Sequence, residues 1–125
     1  MSSSAVQDRT SRQRARGERC CDRDLRSSLS AAEARAITRD LEVLAHPVRL
    51  QLLEVLLRKQ GRVCVCDLEA AVPVKQPTVS HHLKLLREAG LVGSEREGVW
   101  AFYFVRREAL EAWRSRVAAA LRWFE

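Results

Sequence analysis

From Ser30 onward the apolar positions fall into helical and strand-like runs separated by proline and glycine. Ser30-Ala31-Ala32-Glu33 places a glutamate three positions after a serine, and Ile37, Leu41 and Leu44 follow at spacings of three and four. The Ser-x-x-Glu form satisfies two backbone donors reciprocally, so a helix is expected over 31–45. His46-Pro47 closes it, because the residue before a proline is pushed out of the helical region, and Pro47 suits the first turn of a second helix. Leu50, Leu53 and Leu57 line one face of that helix, with Leu52 and Leu56 beside them, and Gly61 stops it. Residues 62–66 are β-branched and cysteine-rich and read as extended, with Asp67 capping a short helix that runs through Val72. Pro73-Val74-Lys75-Gln76 makes a turn, and Pro77 opens a helix that Gly90 ends after Ala89.

Two short helices joined by so tight a turn are the helix-turn-helix pattern. A hairpin is expected next, over 92–105. Val99-Trp100-Ala101-Phe102-Tyr103-Phe104 is rich in strand formers, and Gly93 and Gly98 bracket a charged tip, Ser94-Glu95-Arg96-Glu97. A hairpin in that position is a wing. A last helix over 107–124 carries Leu110, Trp113, Val117, Leu121 and Phe124 on one stripe. The expected fold is therefore mostly α with a β-hairpin wing, a winged helix-turn-helix occupying 29–125. Residues 1–28 are polar and arginine-rich and read as a flexible basic N-terminal arm that carries Cys20-Cys21. The stripes of the first and last helices exceed what so small a core needs. They predict a homodimer interface of Ile37, Leu41, Leu110, Trp113, Val117 and Leu121.

Charge sharpens the picture. The 125 residues hold 22 Lys and Arg against 16 Asp and Glu, a net charge of +6. That excess favours a polyanion, and with a helix-turn-helix the expected partner is double-stranded operator DNA. The longest apolar run, Val99 to Val105, is too short to span a bilayer. The first 28 residues hold no apolar stretch of the signal-peptide kind. A cytoplasmic protein without a membrane partner is expected, its four cysteines reduced. With no Gly-rich phosphate loop, Gly-x-Ser-x-Gly or His-Glu-x-x-His, the chain reads as no enzyme.

On a helical wheel of 77–90, Val79, Leu83 and Leu86 turn to the core, and Pro77, Thr78, His81, Lys84 and Glu88 turn away, with Ser80 and Arg87 at one border. Short polar groups at a helix N-terminus reach base edges in the major groove, so Thr78, Ser80 and His81 are candidate readers, with Gln76 helping from the turn. Lys84, Arg87 and the wing's Arg96 suit phosphates. Leu85 also falls outward, without a role there. His82, at the other border, reads as a structural histidine. Neighbours on a helix point about 100° apart, so it cannot grip an ion together with His81.

Cys64 and Cys66 are thiolate donors, which select soft ions. Two residues apart, they share a face of an extended segment and diverge on a helix. A shared ion is expected only if the next helix starts after both.

Leu44-Ala45-His46-Pro47-Val48-Arg49-Leu50, then Val63-Cys64-Val65-Cys66-Asp67-Leu68, then Thr78-Val79-Ser80-His81-His82-Leu83-Lys84 through Gly90-Leu91-Val92 occur in that order. On these motifs the chain, over roughly 33–113, resembles the ArsR/SmtB family of metalloregulatory repressors. The resemblance implies a winged-helix homodimer that represses when free and loses DNA affinity on binding an inducing ion. It implies As(III) as inducer, or Sb(III), which also takes three thiolates. Zinc-sensing members use Asp, His and Glu on the last helix. Residues 107–124 contain no His and no Asp, so that site is absent. Arsenite sensors often carry Cys-Val-Cys-Asp-Leu-Cys, but Glu69 stands at the last position here. The third thiolate then falls to Cys20 or Cys21, as in members that join N-terminal cysteines to the pre-helix cysteine of the other subunit. The four thiols also suit Cd(II) or Pb(II), or a redox switch between Cys20-Cys21 and Cys64 or Cys66. No organic cofactor is implied.

Overall fold

The computed structural model describes Cys21 and residues 24–124. Cys20 and most of the expected arm lie outside the described residues. Residues 31–125 form a unit separate from 1–30, and every element below belongs to it.

Helix α1, Ala31–Glu42, ends three residues before the expected boundary. Its last carbonyls are diverted: Arg49 donates to the carbonyls of Val43 at 2.7 Å and Glu42 at 3.1 Å, in place of a further helical turn. Helix α2, Pro47–Lys59, starts as expected on Pro47, capped by His46, whose Nδ1 accepts the Val48 N–H at 3.1 Å. It ends where Gln60 and Gly61 take φ of 55° and 72°.

The next segment corrects the expectation. Val63–Cys64 forms a short strand, β1, and helix α3 spans Val65–Ala71. The helix thus starts before Cys66, with Cys64 as its cap, and Asp67 lies inside its first turn. Helix α4 is Gln76–Glu88, so Gln76 is its first residue and not part of the turn. Gly90, at φ 84°, turns the chain into the wing.

The wing is β2, Val92–Glu97, and β3, Trp100–Val105, paired antiparallel from Val92↔Val105 to Glu97↔Trp100. The charged residues 94–97 are therefore strand, and the tip is Gly98-Val99. A two-residue hairpin needs positive φ at its first central residue, and Gly98 supplies 59°. β1 adds to the outer side of β3 through Val63↔Tyr103 and Cys64↔Phe102, giving the order β1-β3-β2. Helix α5, Arg107–Ala120, tightens into a 3₁₀ turn over Leu121–Phe124 instead of remaining one helix.

The core gathers α2, α3, α4 and the sheet around Leu52, Leu56, Leu68, Val79, Leu83, Leu86 and Val92. Neither α1 nor α5 contributes a buried residue. Leu110 and Trp113 of α5 pack partly buried against the core, and the two helices also hold each other within the chain. The Trp113 indole N–H donates to the Asp40 carbonyl at 2.7 Å, and Arg116 grips both Asp40 carboxylate oxygens at 2.9 and 3.1 Å. Among the described residues, no helix is long and apolar enough to cross a membrane.

Gly93 pairs with Phe104 across the wing, and the Phe104 ring lies over it. A Cβ built on Gly93 would meet that ring at 2.5 Å. Gly93→Ala must displace the ring, at an expected cost of about 1–3 kcal/mol. The urea midpoint should fall accordingly; an unchanged midpoint would show that the ring moves freely.

Candidate DNA interface and thiol pair

Burial on one side of α4 sets what its other side offers. Val79, Leu83 and Leu86 are fully buried, and His82 is 5% exposed. Opposite them Gln76, Ser80, His81, Lys84 and Arg87 are exposed, as a reading face requires. Thr78 is half-buried and so less available than the wheel suggests. Leu85, unexplained on the wheel, is also half-buried and shares a recess with Arg39, Val43 and Arg49 beside the end of α1. Lys84 lies 4.0 Å from Glu88, an exposed pair too weak to remove it from a phosphate. Arg87 donates to Ser94 Oγ at 3.4 Å, linking α4 to the wing. Arg96 is exposed on β2 opposite Ala101.

The wing is braced at its outer edge. Arg62, just ahead of β1, donates to Glu97 at 2.7 Å and lies over the Phe102 ring at 4.1 Å. Arg62 escaped the sequence reading, because only the sheet register brings 62 beside 97. Arg49 escaped it too, because only the packing of α2 against α4 brings it to His82 Nδ1, at 3.0 Å.

The thiols give an unexpected result. Although α3 starts before Cys66, Cys64 Sγ and Cys66 Sγ are 2.8 Å apart. Cys64 keeps an extended backbone, φ −64° and ψ 140°, and the bend into the first helical turn folds Cys66 back onto it. Cap and first turn together thus do what an extended strand was expected to do. Cys64 is half-buried and Cys66 exposed. The hydrogen bond to Cys64 raises the Cys66 thiol above its ordinary value of 9.0, helped by desolvation and the nearby Asp67 charge. Among the described residues, no group of three His, Cys, Asp or Glu that could hold a metal ion is present. Cys21 is exposed.

Of the residues expected at a dimer interface, Ile37, Leu110, Trp113 and Val117 are half-buried within the single chain. Leu41 and Leu121 are each 42% exposed.

A helix-turn-helix with an exposed polar N-terminal face and a braced hairpin behind it is the architecture of winged-helix transcriptional regulators. Residues 46–94 match the family described as "Bacterial regulatory protein, arsR family". The chain is 38% identical over 76 residues to the arsenical resistance operon repressor of Escherichia coli K12, covering 61% of this chain and 63% of that protein. It is 48% identical over 63 residues to the biofilm growth-associated repressor of Agrobacterium fabrum C58, covering 50% and 52%. A solved structure described as a possible transcriptional regulator for arsenical resistance superposes with a TM-score of 0.60 at 32% identity, covering 66% of this chain and 83% of that one. The chain belongs to the arsR family. It spans less than two thirds of the length of the curated relatives it matches.

Replacing Cys64 by alanine removes the first cause of the raised Cys66 thiol. A lower thiol value means more thiolate at a given pH. In Cys64→Ala, Cys66 should therefore be alkylated by iodoacetamide faster at mildly alkaline pH than in the parent, as read by peptide mass. An equal or slower rate would dissociate the two sulfurs.

Proposed function

We propose that the protein is an arsenite-responsive, and by the same chemistry antimonite-responsive, transcriptional repressor. It binds operator DNA as a homodimer and leaves it when the metalloid takes up cysteine thiolates. One observation carries this reading: two thiols with sulfurs 2.8 Å apart at the foot of the helix-turn-helix. Relatives named for arsenical resistance support it. The dimer is proposed to form through the part-exposed stripes of α1 and α5, with Leu41 and Leu121 at its centre.

As(III) takes three thiolates, so Cys64 and Cys66 need one more, and Cys20 and Cys21 are the thiols that remain in the sequence. Thiolate bonds of about 2.3 Å would set two sulfurs roughly 3.3–3.8 Å apart around a shared ion, wider than they stand now. β1 pairs with the wing at Cys64↔Phe102, and Cys66 lies in the first turn of α3. An ion held by both sulfurs therefore ties the strand that edges the wing to the first turn of the helix-turn-helix. Complete release requires roughly 10⁴-fold discrimination between conformations, or about 5.5 kcal/mol. Thiolate–metal binding can exceed about 10 kcal/mol, which is sufficient.

Two expectations follow from charge and from thiol chemistry. With Lys84, Arg87 and Arg96 on phosphates in each half of a dimer, the log–log slope of affinity against salt should be roughly −5. Arg96→Ala should flatten it by about two units and leave sequence preference intact. A lost preference would instead make the wing a base reader.

Cys64→Ser and Cys66→Ser should each keep repression and lose induction, as should the double change Cys20→Ser with Cys21→Ser. Titration of the reduced protein should consume three thiols per As(III) and release the DNA. Release by Cd(II) or Pb(II) but not As(III) would reassign the inducer, and release by peroxide alone would make the thiols a redox switch.

A further inference from the structure

His82 is the one polar side chain buried among the described residues. It sits on the rear of α4, directly behind the exposed His81, with the two rings 5.1 Å apart. It also lies against the His46 ring, tilted by 33° with 4.1 Å between ring centroids. Arg49, from α2, donates to His82 Nδ1 at 3.0 Å, and its other nitrogens hold the carbonyls of Val43 at 2.7 Å and Glu42 at 3.1 Å. One planar guanidinium thus joins the C-terminal end of α1 to the back of the reading helix, by a three-way fork that an ammonium cannot reproduce.

A guanidinium only donates, so His82 Nδ1 has to be a bare acceptor, with the ring proton on Nε2. We propose that Arg49 is a positioning residue for the DNA-reading helix: its guanidinium clasps the end of α1 to the rear of α4, and a proton on His82 opens the clasp. This rests on α4 being the DNA-reading element. Protonation removes the acceptor and sets a second cation against Arg49. The groups facing His82 are Arg49 on α2, His46 at its cap and His81 on α4 itself, and none of them offers a compensating negative charge. Desolvation first, then His46, Arg49 and His81, hold the imidazole below its ordinary 6.5. A histidine value lowered by folding gives a contribution fully present above about 6.5 and lost as pH falls through the lowered value. Acid should therefore loosen the reading helix from behind.

The test uses the full chain, a duplex that the parent protein selects from a random pool, and a scrambled duplex of equal length. The quantity read is the ratio of affinities for the two, which cancels general charge effects. For the parent it should fall about tenfold as pH is lowered from about 7.5 through the midpoint of the His82 ring read by NMR, within the usual range of coupling between sites. His82→Asn keeps an acceptor that does not titrate. Its ratio should match the parent's at the higher pH and change by less than about twofold over the same range. Arg49→Lys keeps the charge and loses the fork. Its ratio should drop about tenfold even at the higher pH, with binding to the scrambled duplex retained. If Arg49→Lys does not fold, the His82→Asn profile decides, together with NMR of the parent, in which the Arg49 Nε–H signal should change with the same midpoint as the His82 ring. A parent ratio that ignores pH, an unaltered profile in His82→Asn, or separate midpoints overturns the clasp and leaves DNA reading standing. A parent that selects no duplex overturns DNA reading, and the clasp with it.

Discussion

Val79, Leu83 and Leu86 press from α4 into the core, and the remaining functional geometry depends on that packing. Each contributes about 1.5–3 kcal/mol of apolar burial, and none is exposed. Because a helix is rigid and its faces are linked by the 3.6-residue repeat, seating these three also aims Ser80, His81 and Lys84 outward. Rotation of α4 by one residue would turn all three off the core, and in one sense would bring Ser80, Lys84 and Arg87 into their places. The exposed polar face is thus a consequence of the core rather than a separate construction.

His82 completes that seating in a different way. A buried imidazole without a partner would cost free energy, and Arg49 satisfies it. The same guanidinium ends α1 by taking carbonyls that a longer helix would have used. One side chain therefore sets a helix boundary and a tertiary contact together.

The short strand β1 plays the corresponding part on the opposite side of the fold. It is hydrogen-bonded to the wing at Cys64↔Phe102 and continues without a break into α3, the first helix of the helix-turn-helix. Arg62 braces the wing from the same segment through Glu97 and Phe102. The thiol pair sits at this joint. Its sulfurs meet because Cys64 stays extended while Cys66 has already entered the helix.

Much of this was readable from local pattern. His46-Pro47, the leucine repeats, Pro77 and Gly90 located the helices, because caps, breakers and apolar periodicity act within a few residues. The exposed character of His81 and Lys84 followed from the wheel, which set His82 only at the border of the core face; the structure buries it. Local pattern placed the hairpin, but it assigned Ser94-Glu95-Arg96-Glu97 to the tip. Strand pairing across the sheet, with Gly98 as the turn residue, assigns them to β2. It also started α3 three residues late, with Asp67 in place of Cys64 as the cap, and so linked the thiols' meeting to an extended backbone they only half possess. Arg49, Arg62 and Asp40 carried no sequence signal of their partners, which lie 33, 35 and 76 positions away. Such contacts depend on how elements pack and register, and no short-range preference encodes them. Sequence alone determined which segments would be helix or strand and which faces would be apolar. Tertiary structure decided which polar groups meet, because that requires distant segments to be brought to hydrogen-bond distance.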